Sequence, residues 1–309
     1  MSPPDAKPGG ARTVPRAAAL GICRYSRIRV FDNIVSTLVF LHRRRCRRRM
    51  GRIAWKWPLT VAFAIVLFTL FTIDTYFAAN RLTANSPLFV QALAWTHWGK
   101  SATILVPTAC LLIASSLVAW RRLRPRTQLL LLNQTAMSAY LLLSVLLSGL
   151  VVNLLKQMIG RARPSLYPEL GAYHLDPWTL HTRFASFPSG HSSVAGAAAM
   201  GLALLFPALR VPALILALWL ATTRVFVGSH FMSDVFAGLM IGAWFAYALA
   251  IVCASHGLLF DVSQAILPTP KKTFHIVPAG MRAEWRGMRR RYFGRSGRPV
   301  ESVRVPLPS

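Results

Sequence analysis

The stretch QLLLLNQTAMSAYLLLSVLLSGLVVNLL, residues 128–155, contains no charged side chain. It is bounded by Arg121-Arg122-Leu123-Arg124-Pro125-Arg126 before it and Lys156 after it. About 20 predominantly apolar residues carry a helix across the ~30 Å hydrocarbon core of a bilayer, so this stretch reads as a membrane-crossing helix. Working outward, five further apolar stretches of similar kind lie at 58–79, 101–120, 190–206, 211–229 and 233–254. The fold class that follows is all-α, a polytopic membrane protein built as a bundle of six transmembrane helices.

Composition agrees. Of 309 residues 54% are hydrophobic and only 15% are charged, where a soluble domain carries about 25% charged residues. Mean hydropathy is +0.44. The charge is one-sided, 36 Lys and Arg against 9 Asp and Glu, for a net +27. A nucleic-acid binder spreads such charge over a soluble face. Here it is wedged between apolar runs, which excludes nucleic acid as partner and points to basic loops beside a membrane. Cys23, Cys46, Cys110 and Cys253 show no paired spacing, so neither a disulfide framework nor a zinc site is indicated.

Three regions follow: a basic tail over 1–56, a six-span domain over 57–256, and a second basic tail over 257–309. The first tail is rich in Pro, Gly and Arg and ends on His42-Arg43-Arg44-Arg45-Cys46-Arg47-Arg48-Arg49, a composition that favours disorder. No small-residue cleavage site follows the first apolar run, so a cleavable signal peptide is not expected. The positive-inside rule places both tails and Arg121–Arg126 in the cytoplasm. Alternation then puts 80–100, 156–189 and the turn near 225–232 on the outer face, periplasmic for an inner-membrane protein of a bacterium. Within 80–100, Leu88, Phe89, Leu93, Trp95 and Trp98 suit a short interfacial helix with tryptophan anchors. The basic stretches 1–56 and 271–304 are expected to attract anionic lipid.

Polar groups that a bilayer would otherwise exclude collect on that outer side. Ionisable residues at membrane depth mark functional sites by default. Lys156 ends the third span, and Arg163-Pro164 follows. Pro188-Ser189-Gly190-His191 opens the fourth, and Thr223-Arg224 precedes His230 and Asp234 at the end of the fifth. Lys156, Arg163 and Arg224 supply positive charge for a phosphate, with arginine able to grip two oxygens. Ser189 and Gly190 sit where a helix begins, so unpaired N–H groups can face an anion. His230 and Asp234 are i, i+4, adjacent if that stretch is helical. A carboxylate on one imidazole nitrogen fixes the tautomer and frees the other to attack phosphorus. His191 can protonate the leaving oxygen.

Lys156-x6-Arg163-Pro164, Pro188-Ser189-Gly190-His191 and Arg224-x5-His230-x3-Asp234 resemble the three signature motifs of the type 2 phosphatidic acid phosphatase (PAP2) superfamily, in the same order and spacing. The third motif usually opens on Ser-Arg, and here reads Thr223-Arg224, which keeps a hydroxyl. The resemblance implies a phosphohistidine on His230, protonation of the leaving group by His191, and orientation of His230 by Asp234. It implies phosphate binding by Lys156, Arg163, Arg224, Ser189 and Gly190, with no metal and no cofactor. A vanadate-using branch of the family is soluble, and the apolar spans argue against it.

The expected activity is hydrolysis of a terminal phosphate monoester or pyrophosphate of a membrane lipid, the bilayer itself forming part of the binding site. Candidates are undecaprenyl pyrophosphate, lipid A phosphate, phosphatidylglycerophosphate and phosphatidic acid, with the outer loop 165–187 helping to choose. No obligate protein partner is indicated. Two alternatives remain, a phosphotransferase using the same histidine and a non-catalytic anion transporter. Asp74, near the outer end of the first span, is expected to cap or pair with a neighbouring charge, and Asn153 to support Lys156 from one turn away. Gly196, Gly201, Gly238 and Gly242 read as helix-packing positions.

Overall fold

The computed structural model describes residues 56–118, 123–256, 258–261 and 267–271. The expected basic tails fall outside these residues, apart from Lys56 and the short pieces after 257. Among the described residues, each apolar stretch read above is helical over most of its length. Helix α1 (Lys56–Thr72) runs almost directly into α2 (Asp74–Ala79). The break is slight, because Ile73 N–H still reaches Thr69 O and Phe77 N–H reaches Ile73 O. Helix α3 (Pro87–Thr96) is the short helix anticipated in 80–100. Ser86 caps it by accepting from Phe89 N–H at 3.2 Å, and Pro87 fills its first turn, where the missing N–H costs nothing. Trp95 and Trp98 are exposed, as interfacial anchors would be.

Helix α4 (Ser101–Leu117) leads to α5 (Pro125–Ile159), which has 35 residues. At about 1.5 Å per residue α5 is longer than the ~30 Å of hydrocarbon, so its ends project past it. Gly160 stops α5 in the left-handed conformation (φ 62°). A Cβ there would lie 1.9 Å from Asp176 O, so glycine is required both by backbone angle and by space. After the loop, which holds the single turn α6 (Tyr167–Leu170), come α7 (Gly190–Leu205), α8 (Arg210–Phe226) and α9 (Met232–Ser255).

Among the described residues, four helical stretches can by length and composition cross a membrane: Pro87–Leu117, Arg126–Ile159, Pro207–Phe226 and Met232–Ser255. Lys56–Thr72 and Gly190–Leu205 are apolar but shorter, at 17 and 16 residues. The architecture is an all-α membrane bundle, and the six expected stretches differ in reach.

The bundle is apolar outside and small or polar inside. On α5, Leu130, Leu143, Leu146, Leu147, Leu150 and Leu154 are exposed, whereas Ser138, Tyr140, Ser144, Ser148 and Val152 are buried. Lipid solvates leucine as well as a protein core does, so close packing and hydrogen bonds hold the helices together. Tyr140 donates to Ala246 O at 2.9 Å, linking α5 to α9. Helices α7 and α9 cross through glycine: a Cβ on Gly196 would lie 2.1 Å from Leu239 O, and one on Gly242 would lie 2.0 Å from Ser193 O. A Cβ on Gly238 would lie 2.3 Å from Ser189 O, and one on Gly201 would meet Leu141 at 2.7 Å. All four glycines expected to serve packing do so.

Of the region 257–309 read as a basic tail, the structure describes 258–261 and 267–271. Phe260–Asp261 pairs with Thr269–Pro270 in a two-stranded antiparallel sheet (β1 and β2). Phe260 is buried and its ring meets Tyr140 edge-on at 5.1 Å. The packed unit therefore extends past residue 257, because an aromatic anchor in the supposed tail returns to the helices.

Gly242→Ala forces the backbones of α7 and α9 apart, and overpacking of this kind costs about 1–3 kcal/mol. Thermal unfolding in detergent should show a lower midpoint. Gly238→Ala should lower it as well and also reduce activity, because it displaces Ser189.

Candidate active site

The C-terminal ends of α5 and α8 and the N-terminal ends of α7 and α9 meet at one end of the bundle. Lys156 sits in the last turn of α5. Its Nζ reaches Ala185 O at 3.4 Å and lies 3.8 Å from the point where a Cβ on Gly190 would stand. Ser189 caps α7 and accepts from Ser192 N–H at 3.4 Å and Ser192 Oγ at 2.9 Å. Its own N–H donates to Asp234 O at 2.9 Å, tying α7 to α9. His191 follows on the first turn, and Gly99, just after α3, backs it: a Cβ there would touch His191 Cδ2 at 3.4 Å.

Arg224, in the last turn of α8, donates from Nη1 to Thr96 Oγ1 at 2.7 Å. Arg163 is placed by the loop backbone, its N–H donating to Arg183 O at 2.8 Å. The Nε atoms of both Arg163 and Arg224 are buried without a hydrogen-bond partner. Buried donors left unpaired are costly, and an anion at this end would accept from them. Burial lowers the pKa of Arg163 from its usual value, and guanidinium stays charged nonetheless.

His230 is buried and stands beside Asp234, although the stretch between them is not wholly helical. His230 lies before α9 begins, and its Nδ1 is 2.8 Å from Ser186 O and 3.6 Å from Asp234 Oδ2. The shorter contact is the hydrogen bond, since 3.6 Å is beyond hydrogen-bond reach. With Nδ1 donating to a carbonyl, Nε2 carries the free lone pair. Burial dominates the titration of His230 and pushes its pKa down to about 4, with Asp234 opposing and Lys156 and Arg224 assisting. The imidazole is thus neutral near pH 7.

Asp234 reaches His230 partly through Ser186. Its Oδ2 accepts from Ser186 Oγ at 2.6 Å and from Phe231 N–H at 2.9 Å. Its Oδ1 accepts from Arg161 Nη1 at 2.6 Å. Asp74, expected to pair with a neighbouring charge, does so with Arg161 Nη2 at 2.9 Å.

The structure gathers Lys156, Ser189, Gly190, His191, Arg224, His230 and Asp234 around this end of the bundle, with Arg163 on the adjoining loop. Asn153, expected to support Lys156, is exposed. His174, His181 and Arg183 are exposed on the loop, with His181 Nδ1 accepting from Arg183 N–H at 3.2 Å. Sequence reasoning passed over Arg161, Ser186 and Thr96. Arg161 resembles any interfacial charge next to Arg163, and Ser186 meets His230 through its carbonyl and Asp234, 48 positions away, through its hydroxyl, neither of which a local pattern records. For Thr96, a partner 128 residues away offers no local pattern.

Comparison with known proteins meets this geometry. Residues 138–255 match the model of the PAP2 superfamily. The chain is 39% identical over 235 residues to the lipid A 1-phosphatase of Rhizobium johnstonii, covering 75% of this chain and 95% of that one. It is 37% identical over 226 residues to the lipid A 1-phosphatase of Rhizobium etli, covering 73% and 96% respectively. Among solved structures, a transmembrane PAP2 type phosphatidylglycerolphosphate phosphatase from Bacillus subtilis aligns with a TM-score of 0.43 at 22% identity, over 62% of this chain and 93% of that one. Since relatives above the 30% level are matched along nearly their whole length, the chain belongs to the PAP2 superfamily, as one of its membrane lipid phosphatases.

Proposed function

We propose that the chain hydrolyses the 1-phosphate of lipid A through a phosphohistidine on His230. The observation that carries the mechanism is the hydrogen bond between His230 Nδ1 and Ser186 O, which commits one ring nitrogen and frees the other. The substrate reading is supported by two relatives bearing that activity in their names, each covered almost completely.

In this reading Lys156, Arg163 and Arg224 neutralise the phosphate, the unpaired Nε donors of the two arginines among the groups that receive it. Ser189 and Gly190 offer the N-terminal N–H groups of α7. His230 Nε2 forms a bond to phosphorus as the bond from phosphorus to the lipid oxygen breaks. The electron pair goes to that oxygen, which takes a proton from His191. Water then attacks phosphorus, gives its proton to His191, and releases phosphate from His230. The steps need positioned charge and a proton donor, which is most of what phosphoryl transfer requires. No step calls on a metal. In this reading the site lies on the outward face of the inner membrane with both termini cytoplasmic, an orientation that the basic flanks of the spans support. There the phosphate of a lipid stands at headgroup level while its chains stay in hydrocarbon.

Three measurements bear on this. Detergent-purified protein given lipid A 1-phosphate, undecaprenyl pyrophosphate, phosphatidylglycerophosphate and phosphatidic acid, with EDTA present, should release phosphate best from lipid A. His230→Ala should lose activity by roughly a thousandfold or more; an active His230→Ala, or release abolished by EDTA, would sink the mechanism. Because the nucleophile must be neutral and its pKa is pushed down to about 4, protonation of His230 should reduce kcat/KM only as the pH approaches that value, with the ionisations of the substrate and of the proton donor His191 superimposed on the profile. A fall centred near pH 6.5 on a substrate with no ionisation there would contradict the buried imidazole. Finally, a cysteine at exposed Ser165 should react with a membrane-impermeant thiol reagent added to the periplasm, above the background of the parent chain. Labelling only after the inner membrane is opened would reverse the orientation.

A further inference from the structure

Arg161 stands outside the residues to which the mechanism assigns a role, yet it is buried between two carboxylates. Its Nη1 donates to Asp234 Oδ1 at 2.6 Å and to Ser233 Oγ at 2.7 Å. Its Nη2 donates to Asp74 Oδ2 at 2.9 Å and to Ala172 O at 2.9 Å, and its Nε donates to Ala172 O at 3.1 Å. The plane of the guanidinium is further backed by Phe231, whose ring centroid is 4.2 Å from Cζ. Asp74 in turn accepts from Ser233 N–H at 2.9 Å and from Ser233 Oγ. Both Asp74 and Asp234 have no exposed surface.

This is more than a fold contact, because Asp234 has a second set of partners. Its Oδ2 accepts from Ser186 Oγ, and the carbonyl of Ser186 accepts from His230 Nδ1. A fork that pins Asp234 therefore also places the residue that fixes the tautomer of His230. Charge matters too. Arg161 alone would neutralise Asp234, and a second carboxylate restores one net negative charge to the triad beside His230.

We propose that Arg161 and Asp74 form a positioning pair for His230, Arg161 holding Asp234 and Asp74 offsetting the charge of Arg161. The inference rests on His230 being the nucleophile. Other charged or titratable groups face the imidazole: Asp234 from α9, Lys156 from α5, Arg224 from α8 and His191 from α7. The test leaves all of these unchanged.

The full chain in detergent serves for the test, with the acid limb of kcat/KM on one lipid phosphate as readout. Asp74→Asn takes away an ionisable carboxyl and should move the limb to lower pH. Arg161→Gln removes a positive charge and should move it to higher pH. The double variant, with the same net charge as wild type, should bring the limb back while kcat stays reduced. Any two of the three variants that fold decide the question, since each pair differs in charge. A merely structural role lowers the yield of folded protein or kcat and leaves the limb where it is in every variant. That result overturns the positioning pair. Failure of the underlying reading is distinct, since His230→Ala would then remain active with wild-type and variant limbs alike.

Discussion

Asp234 has no exposed surface, and a carboxylate in that position must be held by donors on every side. Removing a partner from a buried ion pair costs about 3–5 kcal/mol, because a charge is left behind without solvent. The donors here come from separated parts of the chain: Arg161 after α5, Ser186 before α7, and Phe231 at the start of α9. The backbone of Asp234 adds a fourth link by accepting from Ser189 N–H. One carboxylate thus sets the relative position of the loop, the capped end of α7 and the histidine. Much of the site geometry depends on it.

The rest of the bundle gives those contacts a frame held by close helix packing and small apolar clusters, such as Val145, Val194 and Ala197. Many leucines face outward and serine, alanine and glycine line much of the interior, with Val145, Val194, Leu204 and Leu205 among the larger buried side chains, an arrangement expected where lipid replaces water as solvent. Glycines at the crossing of α7 and α9 let the backbones approach closely. That closeness is functional as well as structural, since Gly238 lies against Ser189. The packing seam and the capped start of α7 share a wall.

Segments before the family-matched region 138–255 also complete the site. Thr96 holds Arg224, Gly99 backs His191, and Asp74 meets Arg161. The motif-bearing helices carry the candidate site residues, while the earlier helices steady them. An enzyme gains from this division, because catalytic side chains must be held within fractions of an ångström and ångström-scale misplacement is costly in rate.

Sequence by itself determined the membrane class, the helical stretches, and the residues of the three motifs. Each depends on local properties: apolar length against bilayer thickness, charge at helix ends, and side-chain chemistry at fixed spacing. The four packing glycines were legible for the same reason, as a helical periodicity of small residues. Only the tertiary structure decided the partners. His230 leans on the Ser186 carbonyl, where sequence spacing pointed to Asp234, because the chain bends before α9 begins and brings a backbone acceptor closer. Asp74 and Arg161 lie 87 positions apart and meet only when the helices assemble. Phe260 returns to Tyr140 from what composition presented as a tail. Long-range contacts of this kind follow from how helices pack, and packing is a property of the whole bundle that no local pattern records.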